Sequence, residues 1–318
     1  MYDQYQRKID YLRISLTDRC NLHCKYCQPD VTQHVAHDEI LRYEEIMRVC
    51  QAAVALGIVK FKITGGEPLL RKDCVQFIYR LKALAGVQQV TLTTNATLLT
   101  QFLPELQAAC VDCVNVSLDT TDSEAFRKLT GGDVASVLAA LAALKKAAIP
   151  FKINCVPLAG MGEKNILDLL NLADKYEVPL RFIELMPLAC NSELQGMSGR
   201  EICSLLQQKG LSIIADKNSY GNGPAAYYRV QGYKMPLGFI EPLHNKFCAA
   251  CNRVRLTSVG LFKPCLYSST GLDLKQMLRN GASDAALKKA MEQAVFVKPF
   301  GHRFEEMPAK FCMNEIGG

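Results

Sequence analysis

Over residues 11–186, short apolar, β-rich runs alternate with longer helical ones, and this alternation restricts the fold more than any other feature of the chain. The strand candidates are YLRISL (11–16), VKFKIT (59–64), QVTLTT (89–94), CVNVSL (113–118), PFKINCV (150–156) and PLRFIEL (179–185). Between them lie amphipathic or Ala/Leu-rich segments at 43–56, 73–84, 134–148 and 165–176. Six such βα units predict a parallel sheet. Six fall short of the eight of a closed barrel, so the expected fold is α/β, an incomplete (β/α)6 TIM-like barrel. After Met186 the rhythm stops, and residues 187–318 are richer in turns, with GNGP at 221–224. We expect a barrel over 1–186 and a C-terminal region over 187–318 that closes its open side.

The unusual polar residues fall at or just after the strand ends. Three cysteines follow the first run and GGEP (65–68) the second. Thr93 ends the third, Ser117 and Asp119 the fourth, Asn154 sits late in the fifth, and Glu184 and Met186 close the sixth. Parallel α/β barrels build their active sites at that C-terminal rim.

Composition sets the setting. No apolar run is long enough to span a bilayer, and the polar start MYDQYQRKID is unlike a secretory signal. The expected location is the cytoplasm, where thiols stay reduced. Fourteen cysteines there call for metal ligands at short spacing and buried thiols elsewhere. The net charge of +6 is modest and fits either a solvated surface or a pocket for an anion. No long block of like charge suggests a nucleic-acid tail, so neither nucleic acid nor membrane is expected as a partner.

CNLHCKYC (20–27) places Cys20, Cys24 and Cys27 in eight positions. Two intervening residues let two sulfurs reach one metal centre, and a third thiolate on the loop adds a third ligand. A four-iron cluster held by three cysteines leaves one iron open. Zinc with a remote fourth ligand is the competing assignment at this point.

CNLHCKYC together with TGGEP (64–68) resembles the radical S-adenosylmethionine (SAM) superfamily. The resemblance implies a 4Fe-4S cluster on the three cysteines. Its open iron chelates the amino and carboxylate groups of SAM, and an electron from the cluster cleaves the sulfonium to a 5′-deoxyadenosyl radical. The glycines of GGEP let backbone come close to the ligand.

A second trio follows: Cys248 and Cys251 in FCAACNRVRL, and Cys265 in LFKPCL. Zinc with His244 as fourth ligand competes with a second four-iron cluster whose open iron binds substrate. The stretch 223–266, with LRISLTDRCN (12–21), RFIELMP (181–187) and EIGG (315–318), resembles the GTP 3′,8-cyclase family of molybdenum-cofactor biosynthesis nearly end to end. That implies conversion of GTP to a 3′,8-cyclised nucleotide, the first step towards molybdopterin, with SAM and two 4Fe-4S clusters as cofactors. It also implies an external electron donor, a downstream pterin synthase and a homodimer.

The resemblance assigns roles position by position. Arg253 and Arg255 flank the second trio and share one face of an extended chain. They act in catalysis together with Gly317 and Gly318, whose tail threads into the site. GTP contacts fall on Arg13, Lys60, Lys62, Thr93, Lys152, Arg181, Arg253, Val254 and Arg255. SAM contacts fall on Tyr26, Gly66, Glu67, Ser117 and Met186, with Glu67 near the SAM amino group. Gln28, Lys62 and Ala96 stand where the family usually has methionine, arginine and glycine. CVDC (110–113) is read as structural, with Cys113 buried. The remaining cysteines, Cys50, Cys74, Cys155, Cys190, Cys203 and Cys312, are read as packing residues. A radical SAM peptide-modifying enzyme and a non-catalytic metal-binding module are the competing functions.

Overall fold

A strand whose alternate residues are apolar buries one face. In the computed structural model, which describes residues 1–28, 34–304, 306 and 309–318, six strands do this in the same sense. They are β1 (Tyr11–Ser15), β2 (Lys60–Thr64), β3 (Gln89–Thr94), β4 (Cys113–Ser117), β5 (Phe151–Cys155) and β6 (Leu180–Ile183). Leu12, Ile14, Phe61, Ile63, Val90, Leu92, Val114, Val116, Ile153 and Phe182 join one core with the apolar faces of the helices. Those helices are α1 (Tyr43–Ala55), α2 (Cys74–Lys82), α3 (Leu103–Ala108), α4 (Ser123–Thr130), α5 (Val134–Lys146) and α6 (Gly162–Tyr176). All six strands and the four longest of these helices fall where the sequence places them; the short α3 and α4 are additions.

The opposite face is polar. It carries Tyr11 and Arg13, Lys62, Thr93, Lys152 and Asn154, and Arg181. TIM-barrel interiors are filled by layers of branched apolar side chains. Here the same positions hold cations and hydroxyls, which resist such packing, and the interior stays hollow.

The C-terminal region adds strands from within the sheet. β10 (Arg253–Leu256) pairs in parallel with β1, and β9 (Leu237–Ile240) pairs in parallel with β6. Eight parallel strands thus run in the order β10-β1-β2-β3-β4-β5-β6-β9. β11 (Leu261–Lys263) and β12 (Leu272–Asp273) extend one edge antiparallel. β8 (Ala226–Val230) and β7 (Ile213–Asp216) extend the other. Among the described residues the two outer edges do not pair, so the sheet is not closed by hydrogen bonds. β9 and β10 are four-residue runs with no α-helix directly before either, which is why the βα rhythm hides them. Four more helices complete the chain: α7 (Gly199–Gln208), α8 (Leu274–Arg279), α9 (Asp284–Phe296) and α10 (Met313–Ile316). α9 packs against α1 and shields the β11–β12 edge.

Candidate active site

The first cysteine loop leaves the C-terminal end of β1 and is fixed by backbone. Gly66 N–H donates to the Thr17 carbonyl at 2.7 Å, and Glu67 N–H to the Arg19 carbonyl at 2.7 Å. A Cβ on Gly66 would collide with the Arg19 carbonyl oxygen, and one on Gly65 would stand 2.7 Å from the Thr17 oxygen. The glycines of GGEP are therefore required by the cysteine loop that crosses them, in addition to any ligand beside them. Gln28 folds back to donate to the Leu22 carbonyl at 2.7 Å. Ala96, at φ +63°, occupies a left-handed conformation that glycine adopts without strain.

Cys20, Cys24 and Cys27 line a cavity of about 210 Å³ with Tyr26, Gly66, Thr93, Ser117, Asp119, Asn154 and Met186. The rim residues of β1 to β6 thus share one cavity. The Tyr26 hydroxyl donates to Asp119 Oδ2 at 2.7 Å, and Val156 N–H to Asp119 Oδ1 at 2.8 Å. Burial pushes the Asp119 carboxyl up to about 6 despite these donors. Burial also raises all three thiols, with neighbouring thiols adding to the rise at Cys24 and Cys27.

The second trio lines an adjoining cavity of about 180 Å³ with Tyr11, Arg13, Lys62, Arg181, Arg253 and Arg255. Arg13, Asn154, Met186 and Arg255 belong to both cavities, so the two cysteine sites open onto one interior. Strand register builds the cationic floor, with Arg13 opposite Lys62 on one side and Arg255 on the other. Among the described residues no carboxylate pairs with Arg13, Lys62, Lys152, Arg181, Arg253 or Arg255. Burial and then Arg13 and Arg181 hold the Lys62 ammonium well below its usual range. Burial with Arg13 and Arg253 does the same to Arg255. At Cys251 burial raises the thiol, but Lys298 and Arg253 outweigh it and bring it down to about 7.

The tail lies against the C-terminal ends of β1 and β2. Arg255 donates to the Gly317 carbonyl at 2.5 Å, and the Thr64 hydroxyl donates to the Gly318 carbonyl. Gly317, at φ +79°, would place a Cβ 2.8 Å from Ser15 Cβ. A Cβ on Gly318 would meet only Met313, at 3.2 Å, and Gly318 lines the first cavity.

Three expected contacts lie elsewhere. Glu67 is fully buried outside both cavities, and its carboxylate is consumed by Leu69 N–H, the Thr94 hydroxyl and Asn95 N–H. It organises the loops after β2 and β3 and lines neither cavity. Lys60 stands at the N-terminal end of β2, away from the rim, paired with Asp10 at 2.9 Å. The Val254 side chain points into the helix-facing core, leaving only its backbone near the site. His244 turns to Glu184 and does not line the second cavity. Asn95, whose amide approaches Cys20 Sγ at 3.6 Å, carried no motif signal. Nor did Tyr11, which strand register turns into the cavity, or Lys298, which the turn after α9 brings to it.

Comparisons with known proteins place this geometry. Residues 14–173 match the Radical SAM superfamily model, and residues 178–304 match Molybdenum Cofactor Synthesis C. The chain is 38% identical to a GTP 3′,8-cyclase of Clostridium perfringens over 323 residues, covering all of both chains. It is 41% identical to that of Heliobacterium modesticaldum and 40% to that of Thermodesulfovibrio yellowstonii, again over the full length of each.

The chain belongs to the GTP 3′,8-cyclase family.

Solved structures agree on the fold. Streptococcus suis SuiB bound to S-adenosylmethionine superposes with a TM-score of 0.62 at 16% identity, covering 89% of this chain and 68% of that one. The anSMEcpe structure with AdoMet and the Cp18Cys peptide gives 0.58 at 15%, covering 96% and 93%.

The cofactors of the family are SAM and two 4Fe-4S clusters, and the donor sets here suit them. Each site gathers three thiols, with N–H groups aimed at sulfur: Leu22 N at 3.4 Å from Cys20 Sγ and Arg253 at 3.9 Å from Cys251 Sγ. Among the described residues no three His, Cys, Asp or Glu side chains converge on one point as ligands of a single ion would. In a cubane each cysteine binds its own iron, so the sulfurs stay apart.

Proposed function

We infer that this chain is a radical SAM GTP 3′,8-cyclase, forming (8S)-3′,8-cyclo-7,8-dihydroguanosine 5′-triphosphate in the first step towards molybdopterin. The observation that carries this reading is the single cationic interior onto which both cysteine trios open. When bound, the first cluster would supply an electron and SAM the 5′-deoxyadenosyl radical that takes hydrogen from ribose carbon 3′ of GTP; the carbon 3′ radical would bond to guanine carbon 8, and one further electron from the external donor with one proton would complete the dihydro product.

The chain's own residues arrange that encounter. Cys20, Cys24 and Cys27 hold one cluster at the rim. Tyr26, Gly66, Ser117 and Met186 wall the SAM end, with Asp119 orienting Tyr26. Arg13, Lys62, Lys152, Arg181, Arg253 and Arg255 take the triphosphate, whose charges supply the counter-ions these cations lack. Unpartnered polar atoms in the interior are costly unless a ligand satisfies them. The Thr93 hydroxyl and the Nε of Arg13 and Arg253 are such atoms, and all three residues line the joined cavities. Cys248, Cys251 and Cys265 hold the second cluster, facing the guanine. Gly317, held by Arg255, brings the tail against the substrate.

The competing reading as a peptide-modifying enzyme finds support in likeness of fold to a peptide-bound structure at 15% identity. The cyclase reading draws on full-length relatives at 38–41%. An external electron donor, a downstream pterin synthase, a homodimer and a cytoplasmic location complete the proposal. Incubation with GTP deuterated at carbon 3′ tests it: 5′-deoxyadenosine should carry the deuterium, and unlabelled 5′-deoxyadenosine would refute the assigned hydrogen abstraction.

A further inference from the structure

Behind the second cysteine trio lie two cations that the catalytic reading does not use. Lys298 follows α9 and is 2% exposed. Its ammonium donates to the carbonyl oxygen of Arg253 at 2.9 Å and to that of Pro264. The first carbonyl lies two residues beyond Cys251 and the second immediately precedes Cys265. Arg7, 7% exposed, donates to the Cys248 carbonyl at 2.8 Å. The same guanidinium holds the carbonyls of Phe300 and Pro299, each at 2.7 Å. Asp3 fixes Arg7 through its Nε at 2.6 Å and its backbone N–H at 3.0 Å. Gln4 completes the attachment through the Phe296 and Lys298 carbonyls.

The N-terminal hook and segment 298–300 thus reach the backbone beside every cysteine of the trio. Lys298 also lines the trio's cavity. Among the described residues no carboxylate pairs with it. A buried cation held only by carbonyls is costly unless an anion lies near. A cubane on three thiolates is such an anion, and it becomes more negative when reduced.

We propose that Lys298 and the Asp3–Arg7 pair are positioning residues for the second cluster: they preset the three cysteine-bearing backbones, and Lys298 supplies the charge that steadies the reduced cluster. This rests on the reading that Cys248, Cys251 and Cys265 hold a cluster. Partners outside the ligand shell commonly change metal affinity about 10- to 100-fold when removed.

The test uses the full chain, anaerobically reconstituted, as wild type, Lys298→Met, Lys298→Arg and Arg7→Met. Iron is counted after timed exposure to a chelator, and the potential of each cluster is followed by electron paramagnetic resonance. The first cluster reports on folding in the same sample. Lys298→Met and Arg7→Met should lose the second cluster about 10- to 100-fold faster than wild type and keep the first. In Lys298→Met the remaining second cluster should reduce at a more negative potential, and Lys298→Arg should restore retention and potential together. Unchanged retention and potential in Lys298→Met, or equal loss of both clusters, would overturn the proposal. A wild-type chain that takes up only about four irons would instead overturn the cluster reading itself.

Discussion

Arg255 and Gly317 are joined by a hydrogen bond of 2.5 Å from guanidinium to carbonyl, linking a strand of the barrel interior to the last residues of the chain. The arginine that flanks the second cysteine trio is thereby also the anchor of the tail.

That link makes Gly317 the more demanding of the two glycines. A methyl at Gly317 would lie 2.8 Å from Ser15 Cβ on a backbone already at φ +79°. Gly317→Ala should lower turnover about 100-fold or more, since misplacement by about 1 Å can cost that much. Gly318→Ala, whose nearest neighbour is the flexible Met313 at 3.2 Å, should be milder. Deleting both should abolish cyclisation and leave iron content unchanged. Product formation and iron per chain, measured on the same preparations, decide it; a fully active truncation would refute the tail's role.

Lys62 and Arg255 crowd other cations without carboxylate relief, so they destabilise the empty protein while serving the nucleotide. Lys62→Met should raise the unfolding temperature in the absence of GTP and cut turnover roughly ten- to a thousand-fold. Arg255→Ala should lose turnover by a similar factor, and neither variant should unfold. Thermal melts with and without GTP check both: the nucleotide should raise the wild-type midpoint far more than either variant's. Wild-type kinetics in Lys62→Met would contradict the assignment.

Gly66 tests the loop crossing. A methyl carbon there would run into the Arg19 carbonyl, so Gly66→Ala has no side chain to push aside, only backbone. The variant should fail to hold the first cluster and retain the second, halving its iron. Iron at the wild-type level would show that the loop can move.

Glu67 makes a pH prediction. Burial raises its carboxyl from 4.5 to about 7, against hydrogen bonds from Asn95, Thr94 and Leu69. A carboxyl raised in the folded state holds its proton more tightly there than in the unfolded chain. Its contribution to stability is therefore complete below pH 4.5 and is lost as pH rises to about 7. The interval corresponds to roughly 3 kcal/mol. Glu67→Gln cannot ionise, so the fall in stability across that interval should flatten. A constant cost of about 1–3 kcal/mol should replace it, because an amide N–H would face the Asn95 N–H. Urea unfolding at several pH values measures the slope; one identical to wild type would rule out Glu67 as its source.

Much of this site is legible in the amino-acid order alone. The β-rich runs carry strong period-two patterning, and each ends in a polar residue that parallel topology must deliver to one rim. Cys20, Cys24, Cys27, Tyr26, Ser117 and Met186 meet there for that reason. What stays hidden depends on contacts distant in sequence. β9 and β10 are short and have no α-helix directly before them, so their insertion beside β6 and β1 leaves no local trace. Glu67 shares a motif with the cavity-lining Gly66, yet the turn after β2 points its carboxylate into the Thr94–Asn95 loop. Lys60 and Lys62 read alike in KFKIT, but one lies at the strand's far end beside Asp10 and the other in the cavity. Arg7 and Lys298 lie 291 positions apart (298 − 7), and only the fold brings them to the same trio.

The most direct test is an anaerobic reconstitution followed by reaction. Iron and sulfide are counted, then SAM, dithionite and GTP are added, and 5′-deoxyadenosine and the cyclised nucleotide are measured. Two clusters on one cationic interior predict about eight irons per chain, with 5′-deoxyadenosine formed in step with the 3′,8-cyclised product and only when GTP is present. Eight irons with 5′-deoxyadenosine but unaltered GTP would contradict the substrate, and zinc in place of iron would contradict both cysteine sites.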